Sequence, residues 1–270
     1  GVQAEYPYHP ELLDWLAAEF IHSGWDVKGL IRAIVTSETY QRSSVIASPA
    51  DYERDPDNRL LARGPRFRMP SWMIRDQALA VSGLLNPQIG GKAVFSYQPT
   101  GIWAEATFGN KKYRQDKGKA LYRRSLYTYW RRIIGPTMFF DVAKRQVCQV
   151  KPLRTNTPMH ALTIMNDVTY VEAGRALADL LLGEAKDDET RLRLAVKRVL
   201  GREPSPEELI LWKHSLGRAT ASFTEDPEAA KRFLSHGDSK TDSETPPATR
   251  AAWAALCLNL LNLDETLNKE

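Results

Sequence analysis

Cysteine is scarce in this chain of 270 residues: Cys148 and Cys257 are the only two, so no disulfide framework organises the fold. The two read as buried free thiols, Cys257 lying on an apolar helical face, with a disulfide between them as the alternative. The sequence lacks C-x-x-C-H, which excludes covalent attachment of a c-type haem to this segment. Its five histidines (His9, His22, His160, His214, His236) are scattered, and neither H-E-x-x-H nor a Cys/His cluster suggests a metal site. Apolar runs fall short of the roughly 18 to 20 residues that span a bilayer, so no membrane span is expected. The opening GVQAEYPYHP lacks the basic-then-apolar layout of a signal peptide, and no internal repeat of solenoid period is present.

What remains is the composition of a globular protein, 43% hydrophobic and 26% charged, long enough to bury a sizeable core. Its charge is uneven. From Lys111 to Arg132 nine basic residues face Asp116 alone, a local charge of +8 in a chain whose total is +4, so the remainder sums to −4. Basicity concentrated in one stretch speaks of an anionic partner more than of bulk solubility.

Hydrophobic periodicity divides the chain into three subregions of a single helical domain over 1–270. Residues 9–85 read as N-terminal helices: Pro10 opens one carrying Leu12, Leu13, Leu16 and Phe20, Asp26 caps the next, and Pro70-Ser71 starts a third. Residues 86–157, punctuated by Gly90-Gly91, Pro99, Gly101, Gly109 and Pro136, form a loop-rich central segment. Only 121–134 has a regular pattern there, and its alternation favours a strand over a helix. Residues 158–270 return to helices, expected near 158–182, 188–200, 205–222, 227–235 and 247–267. Thr157 should cap the first of these at Pro158 and Thr245 the last, with a mobile polar linker at 235–245. The expected fold is mainly α, a multi-helix bundle with a loop-rich central insertion and at most a small β element.

Three constellations carry possible chemistry, each with a structural alternative. In the basic, aromatic segment Arg124 and Arg131 offer planar forks for sulfate, carboxylate or phosphate, while Tyr127 and Tyr129 offer flat faces for stacking; alternatively the arginines pair with acidic helices. In RTNTP (Arg154 to Pro158) the helix N-terminus presents free N–H groups, so Arg154, Asn156 and Thr157 stand where an anion could be held, unless they only build the turn. Asn166-Asp167 falls inside an expected helix, where neither residue is favoured, so the pair needs hydrogen-bond partners or a function. Asp141, Asp167 and Glu172 are the carboxylates available for acid–base chemistry, structural hydrogen bonding being their other use. Trp103 in YQPTGIW is a ligand lid or a core plug in equal measure.

HPELLDWLAAEF (His9 to Phe20), GWDVKGLIRAIVTSETYQRS (Gly24 to Ser43), DPDNRLL (Asp55 to Leu61), YQPTGIW (Tyr97 to Trp103), QDKGKALYRRSLYTYW (Gln115 to Trp130) and RTNTPMHALTIMNDVTYVEAGRA (Arg154 to Ala176) follow one another along the chain. In this order they resemble domain of unknown function number 1553, a planctomycete cytochrome-associated family, and the resemblance covers nearly the whole length. It implies an excerpt from the C-terminal part of a larger exported protein, hence an extracytoplasmic location. It also implies haem only in separate modules, with no cofactor in this segment, and other domains of the parent protein as partners. The residues add a preference for polyanions. Together they suggest a binding or assembly module recognising anionic polysaccharide, with the ligand held between Arg124–Arg131 and Arg154–Thr157. The alternatives are a polysaccharide-acting enzyme using Asp/Glu acid–base chemistry, and a nucleic-acid binder, which the modest total charge and export disfavour.

Overall fold

A computed structural model describes residues 6–46, 48–131, 134–141, 154–240 and 244–269. The chain is mainly helical, with twelve α-helices and one two-stranded sheet among the described residues. Cys148 lies outside them; Cys257 is a buried free thiol whose pKa burial pushes up. The chain divides into two compact units: Gly1–Phe67 with Lys269–Glu270, and Arg68–Asn268.

Unit 1 contains α1 (Pro10–His22), α2 (Val27–Val35) and α3 (Pro49–Arg54). As expected, Pro10 starts α1, and Asp26 caps α2 by accepting the Gly29 N–H at 3.0 Å. Asp55 organises DPDNRLL by accepting the Arg59 and Leu60 N–H groups, each at 2.8 Å. The Leu60 bond in particular holds its carboxyl below the usual range. Among the described residues of this unit no apolar side chain is fully buried. A cavity of about 940 Å³ lies between Leu12, Trp15, Ile34, Tyr40 and Tyr52.

Unit 2 holds the core. Its helices are α4 (Ser71–Val81), α5 (Ile102–Ala106), α6 (Pro158–Asn166), α7 (Val168–Glu184), α8 (Asp188–Leu200), α9 (Pro206–Glu225), α10 (Pro227–Leu234), α11 (Pro247–Leu261) and α12 (Asp264–Leu267). The centre is α7 against α11, with α4, α8, α9 and α10 around them; Tyr170, Leu177, Leu181, Trp253, Leu256 and Leu260 are fully buried. Each fully buried side chain of this size stabilises the fold by roughly 1.5–3 kcal/mol. A capping box between Ser205 and Glu208 starts α9, and Arg202 joins Glu208 to Glu265 of α12 at 2.7 and 2.6 Å. Phe67–Arg68 and Asn268–Lys269 make the sheet.

Three expectations need correction. The helix expected at 158–182 breaks at Asp167, whose backbone is extended (φ −70°, ψ 133°) and whose carboxylate caps α7 by accepting the Thr169 N–H at 2.9 Å. Asn166-Asp167 is thus a helix boundary, the place where polar side chains compete best for backbone donors. The last helix has Pro246, not Thr245, at its N-cap position, and breaks at Asn262-Leu263 before α12. In the central segment no strand forms at 121–134 among the described residues; short 3₁₀ turns at Gly118–Ala120 and Ser125–Tyr127 and isolated bridges take its place. Among the described residues no helix is long and apolar enough to cross a membrane.

Candidate functional site

Buried arginines supply the hydrogen bonds that a β-ladder would have provided in the central segment. Arg75 sits on the inward stripe of α4 with Ile74, Ala78 and Leu79 and is 0% exposed. Its guanidinium donates to Leu121 O (2.8 Å), Arg123 O (2.9 Å) and Ser125 Oγ (3.2 Å). The adjacent Asp76 accepts from Ser125 N (2.8 Å) and Ser125 Oγ (2.7 Å). Arg123 in turn donates to Gln88 O (3.0 Å), Lys92 O (3.1 Å) and Gly90 O, and lies 3.8 Å over the Tyr127 ring.

These anchors place an aromatic stack behind a cleft. Phe95 stacks on Tyr129 at 4.5 Å and Trp103 on Tyr113 at 5.2 Å, while the Arg131 guanidinium lies 6.0 Å over Trp103. Trp103, at 5% exposure, is therefore a plug. Its indole N–H donates to Gln98 Oε1. An indole nitrogen is a donor only, so the Gln98 oxygen must face it and the Gln98 NH₂ must face away. That nitrogen has no hydrogen-bond partner, and Gln98 lines a cleft of about 440 Å³. Its lining combines apolar surface, Pro99 and Val168 included, with the polar side chains of Gln98, Thr100, Gln115, Thr137, Thr163, Asn166 and Asp167, and Tyr97 at one side. Asn166 donates to Leu162 O at 2.7 Å, and Thr137 Oγ1 donates to Asp167 Oδ2 at 2.7 Å. No lysine or arginine is among the lining residues.

Tyr97 connects the cleft to a buried carboxylate. Its hydroxyl donates to Glu172 Oε2 at 2.9 Å and accepts the Asp238 N–H at 2.7 Å. Glu172, 1% exposed, also accepts from Tyr122 Oη (2.8 Å) and the Ser239 N–H (2.6 Å), with Arg175 at 3.6 Å. Gly237 (φ +94°) closes over it; an added Cβ would come within 2.3 Å of the carboxylate carbon. The described part of the linker expected to be mobile is therefore tied down at Gly237–Ser239 by Glu172.

Burial pushes four tyrosines upward: Tyr113 to about 12, and Tyr97, Tyr122 and Tyr170 further, with the Glu172 charge adding to the effect on Tyr97 and Tyr122 and that of Asp167 on Tyr170. A raised folded-state pKa means stability that is fully present below the unfolded value near 10 and lost as pH rises through the folded values. At about 1.4 kcal/mol per pH unit for each group, the four remove roughly 5 kcal/mol of stability per unit above pH 10. The expected result is cooperative alkaline unfolding. Absorbance at 295 nm should reveal these tyrosinates only as the helical circular dichroism disappears.

The family model for PSD1, a protein of unknown function (DUF1553), matches residues 1–216, a span that includes the whole cleft and Glu172. The chain belongs to the PSD1 family. No curated protein and no solved structure matches it.

Most of the other residues singled out in this PSD1 member lie outside the cleft lining. Thr157 occupies the N-cap position of α6, but its side chain makes no capping bond. Asp141 is held by Thr155, accepting from its N–H at 2.6 Å and its hydroxyl at 2.8 Å, and His160 Nε2 lies 3.9 Å away. Arg154 donates to Arg68 O at 3.0 Å, and Asn156 is exposed. Arg124 is exposed, and the Tyr127 hydroxyl accepts the Gly90 N–H at 2.8 Å. Asn166 and Asp167 do line the cleft, with Trp103 and Glu172 one residue behind its wall. Asp141, Asp167 and Glu172 each already accept two or more hydrogen bonds. Among the described residues no group of three His, Cys, Asp or Glu side chains is arranged to hold a metal ion.

Proposed function

We propose that unit 2 is a binding module for acidic polysaccharide, part of the extracytoplasmic, cytochrome-linked protein that the family resemblance implies. The observation that carries this reading is the buried, unpartnered Gln98 NH₂ in the wall of a cleft that also presents Thr100, Gln115, Thr137 and Asn166. A buried donor without an acceptor costs about 1–3 kcal/mol, and a turn of the Gln98 side chain toward a sugar hydroxyl or ring oxygen in the cleft would supply that acceptor. The acidic part of the ligand is read by the adjoining loop. Tyr113 donates to Ser96 O at 2.6 Å, and Asp116 accepts the Phe95 N–H at 2.7 Å, so these two side chains face inward. Lys111, Lys112, Arg114 and Lys117 are exposed, and no carboxylate pairs with them among the described residues. Gln115, in the middle of this loop, is itself part of the cleft wall.

Phe108 adds a stacking face. It is 95% exposed and held at φ +50°, a conformation unfavourable by roughly 1–2 kcal/mol for a residue with a Cβ. That conformation closes the end of α5, where the Gly109 N–H bonds Ala104 O at 2.8 Å, and it leaves the phenyl group free for the face of a sugar ring to cover.

Calorimetric titration with a sulfated oligosaccharide, its unsulfated counterpart and a DNA duplex tests the reading. The sulfated sugar should bind with an affinity that falls as salt rises. Lys111→Glu with Lys112→Glu should weaken it about tenfold or more, since it removes two cations and sets two carboxylates against the sulfate, with melting temperature unchanged. Tighter binding to DNA than to the sulfated sugar, or no binding to either sugar, would overturn it.

A further inference from the structure

A second surface of unit 2 is built as a projecting knob. Residues 86–92 lie alongside 119–127, joined by Asn86 Nδ2 to Lys119 O (3.1 Å), Asn86 N to Tyr122 O (2.9 Å) and Gly90 N to Tyr127 Oη (2.8 Å). The Arg123 guanidinium fixes the loop from within through three backbone carbonyls. Gly90 and Gly91 adopt φ +77° and +91°, turns that other residues resist. The result of this rigid construction is that Ile89 stands 83% exposed and Leu126 79% exposed. Lys92, Lys119 and Arg124 on the same two segments are also exposed, and among the described residues no carboxylate pairs with them.

We infer that this knob seats the protein on an anionic lipid bilayer. Ile89 and Leu126 enter the headgroup–acyl boundary, and Lys92, Lys119 and Arg124 rest against lipid phosphates. The chemistry selects this occupant over the others. Aliphatic tips offer a sugar no aromatic face to stack on, and protein interfaces are depleted in lysine and centred on aromatic residues. Protruding aliphatic side chains among lysine and arginine suit a surface that is negative outside and apolar beneath. The inference is independent of the cleft, whose lining shares no residue with the knob.

The test is co-sedimentation of the full chain with phosphatidylcholine vesicles prepared with and without phosphatidylglycerol. Binding is expected only to the anionic vesicles and should decline with salt. The double variant Ile89→Ser, Leu126→Ser should reduce partitioning about a hundredfold or more, since each apolar side chain withdrawn from water counts for at least a decade. Both side chains project into solvent, so the melting temperature should not move. Lys92→Glu with Arg124→Glu should abolish the preference for phosphatidylglycerol. Failure of the wild type to sediment, or equal sedimentation of the Ile89/Leu126 variant, would overturn the inference. Self-association in sedimentation velocity that the same variant removes, without vesicle binding, would assign the knob to a protein partner instead. Wild-type sedimentation alongside absent oligosaccharide binding would leave the knob standing and remove only the cleft reading.

Discussion

Glu172→Ala is expected to destabilise unit 2 by about 4 kcal/mol, the scale on which removing one partner of a buried ion pair acts. The carboxylate is the common acceptor for the Tyr97 and Tyr122 hydroxyls and the Ser239 N–H, and it faces Arg175. Alanine strands three donors and removes the carboxylate that Arg175 faces, and the space above is closed by Gly237. Thermal melting should fall by roughly 10 °C for a chain of this size. Glu172→Gln keeps an acceptor oxygen for one tyrosine and should lose about half as much. A further consequence separates this reading from a simple cavity: with the latch gone, amide exchange at Asp238 and Ser239 should rise faster than in α11. Equal acceleration throughout the unit would assign Glu172 to the core generally rather than to the loop.

Arg75→Met should cost about 3–5 kcal/mol, although methionine fills much of the same space. The substitution leaves Leu121 O, Arg123 O and Ser125 Oγ without the donor that satisfied them and Asp76 without its neighbouring charge. Arg75→Lys should recover less than half of the loss, because an ammonium cannot reproduce the planar fork that reaches two carbonyls at once. Denaturant unfolding measures the loss. Limited proteolysis should place the first cuts between residues 86 and 131, the segment that Arg75 and Arg123 hold. A variant as stable as wild type, or one first cut within α8 or α9, would contradict this account of the central segment.

The helical parts were legible where local chemistry decides the structure. Pro10, Asp26, Pro158 and Asp226-Pro227 mark helix starts that the structure reproduces, because caps and N-terminal prolines act within a few residues. Asp167 was misplaced inside a helix since the same Asn-Asp pair that is unfavourable there is a good cap, and periodicity runs unbroken from α6 into α7. The central segment departs from its pattern for another reason. Its alternation at 121–134 is real, but the hydrogen bonds come from Arg75, 46 or more residues away in sequence, and no local pattern encodes them. One signal was available: Arg75 lies in the stripe Ser71, Ile74, Arg75, Ala78, Leu79, all buried, and a charge on a core-facing stripe requires a partner. The cleft was half legible. Asn166 and Asp167 stood out as polar residues in an apolar helical context, whereas Gln98, Thr100, Gln115 and Thr137 are ordinary loop residues until the fold brings them together. Arg154 precedes a helix N-terminus that favours anions, yet its guanidinium donates to Arg68 O, a contact across the fold that no local pattern signals.

The most direct test of acidic-sugar binding is the side-chain amide signal of Gln98, followed by NMR with selectively labelled glutamine during titration with a sulfated oligosaccharide. The Gln98 NH₂ protons should shift saturably, with the same dissociation constant that calorimetry gives, while glutamines outside the cleft stay still. Saturable binding that leaves Gln98 unmoved would contradict the account and locate the ligand elsewhere on the protein.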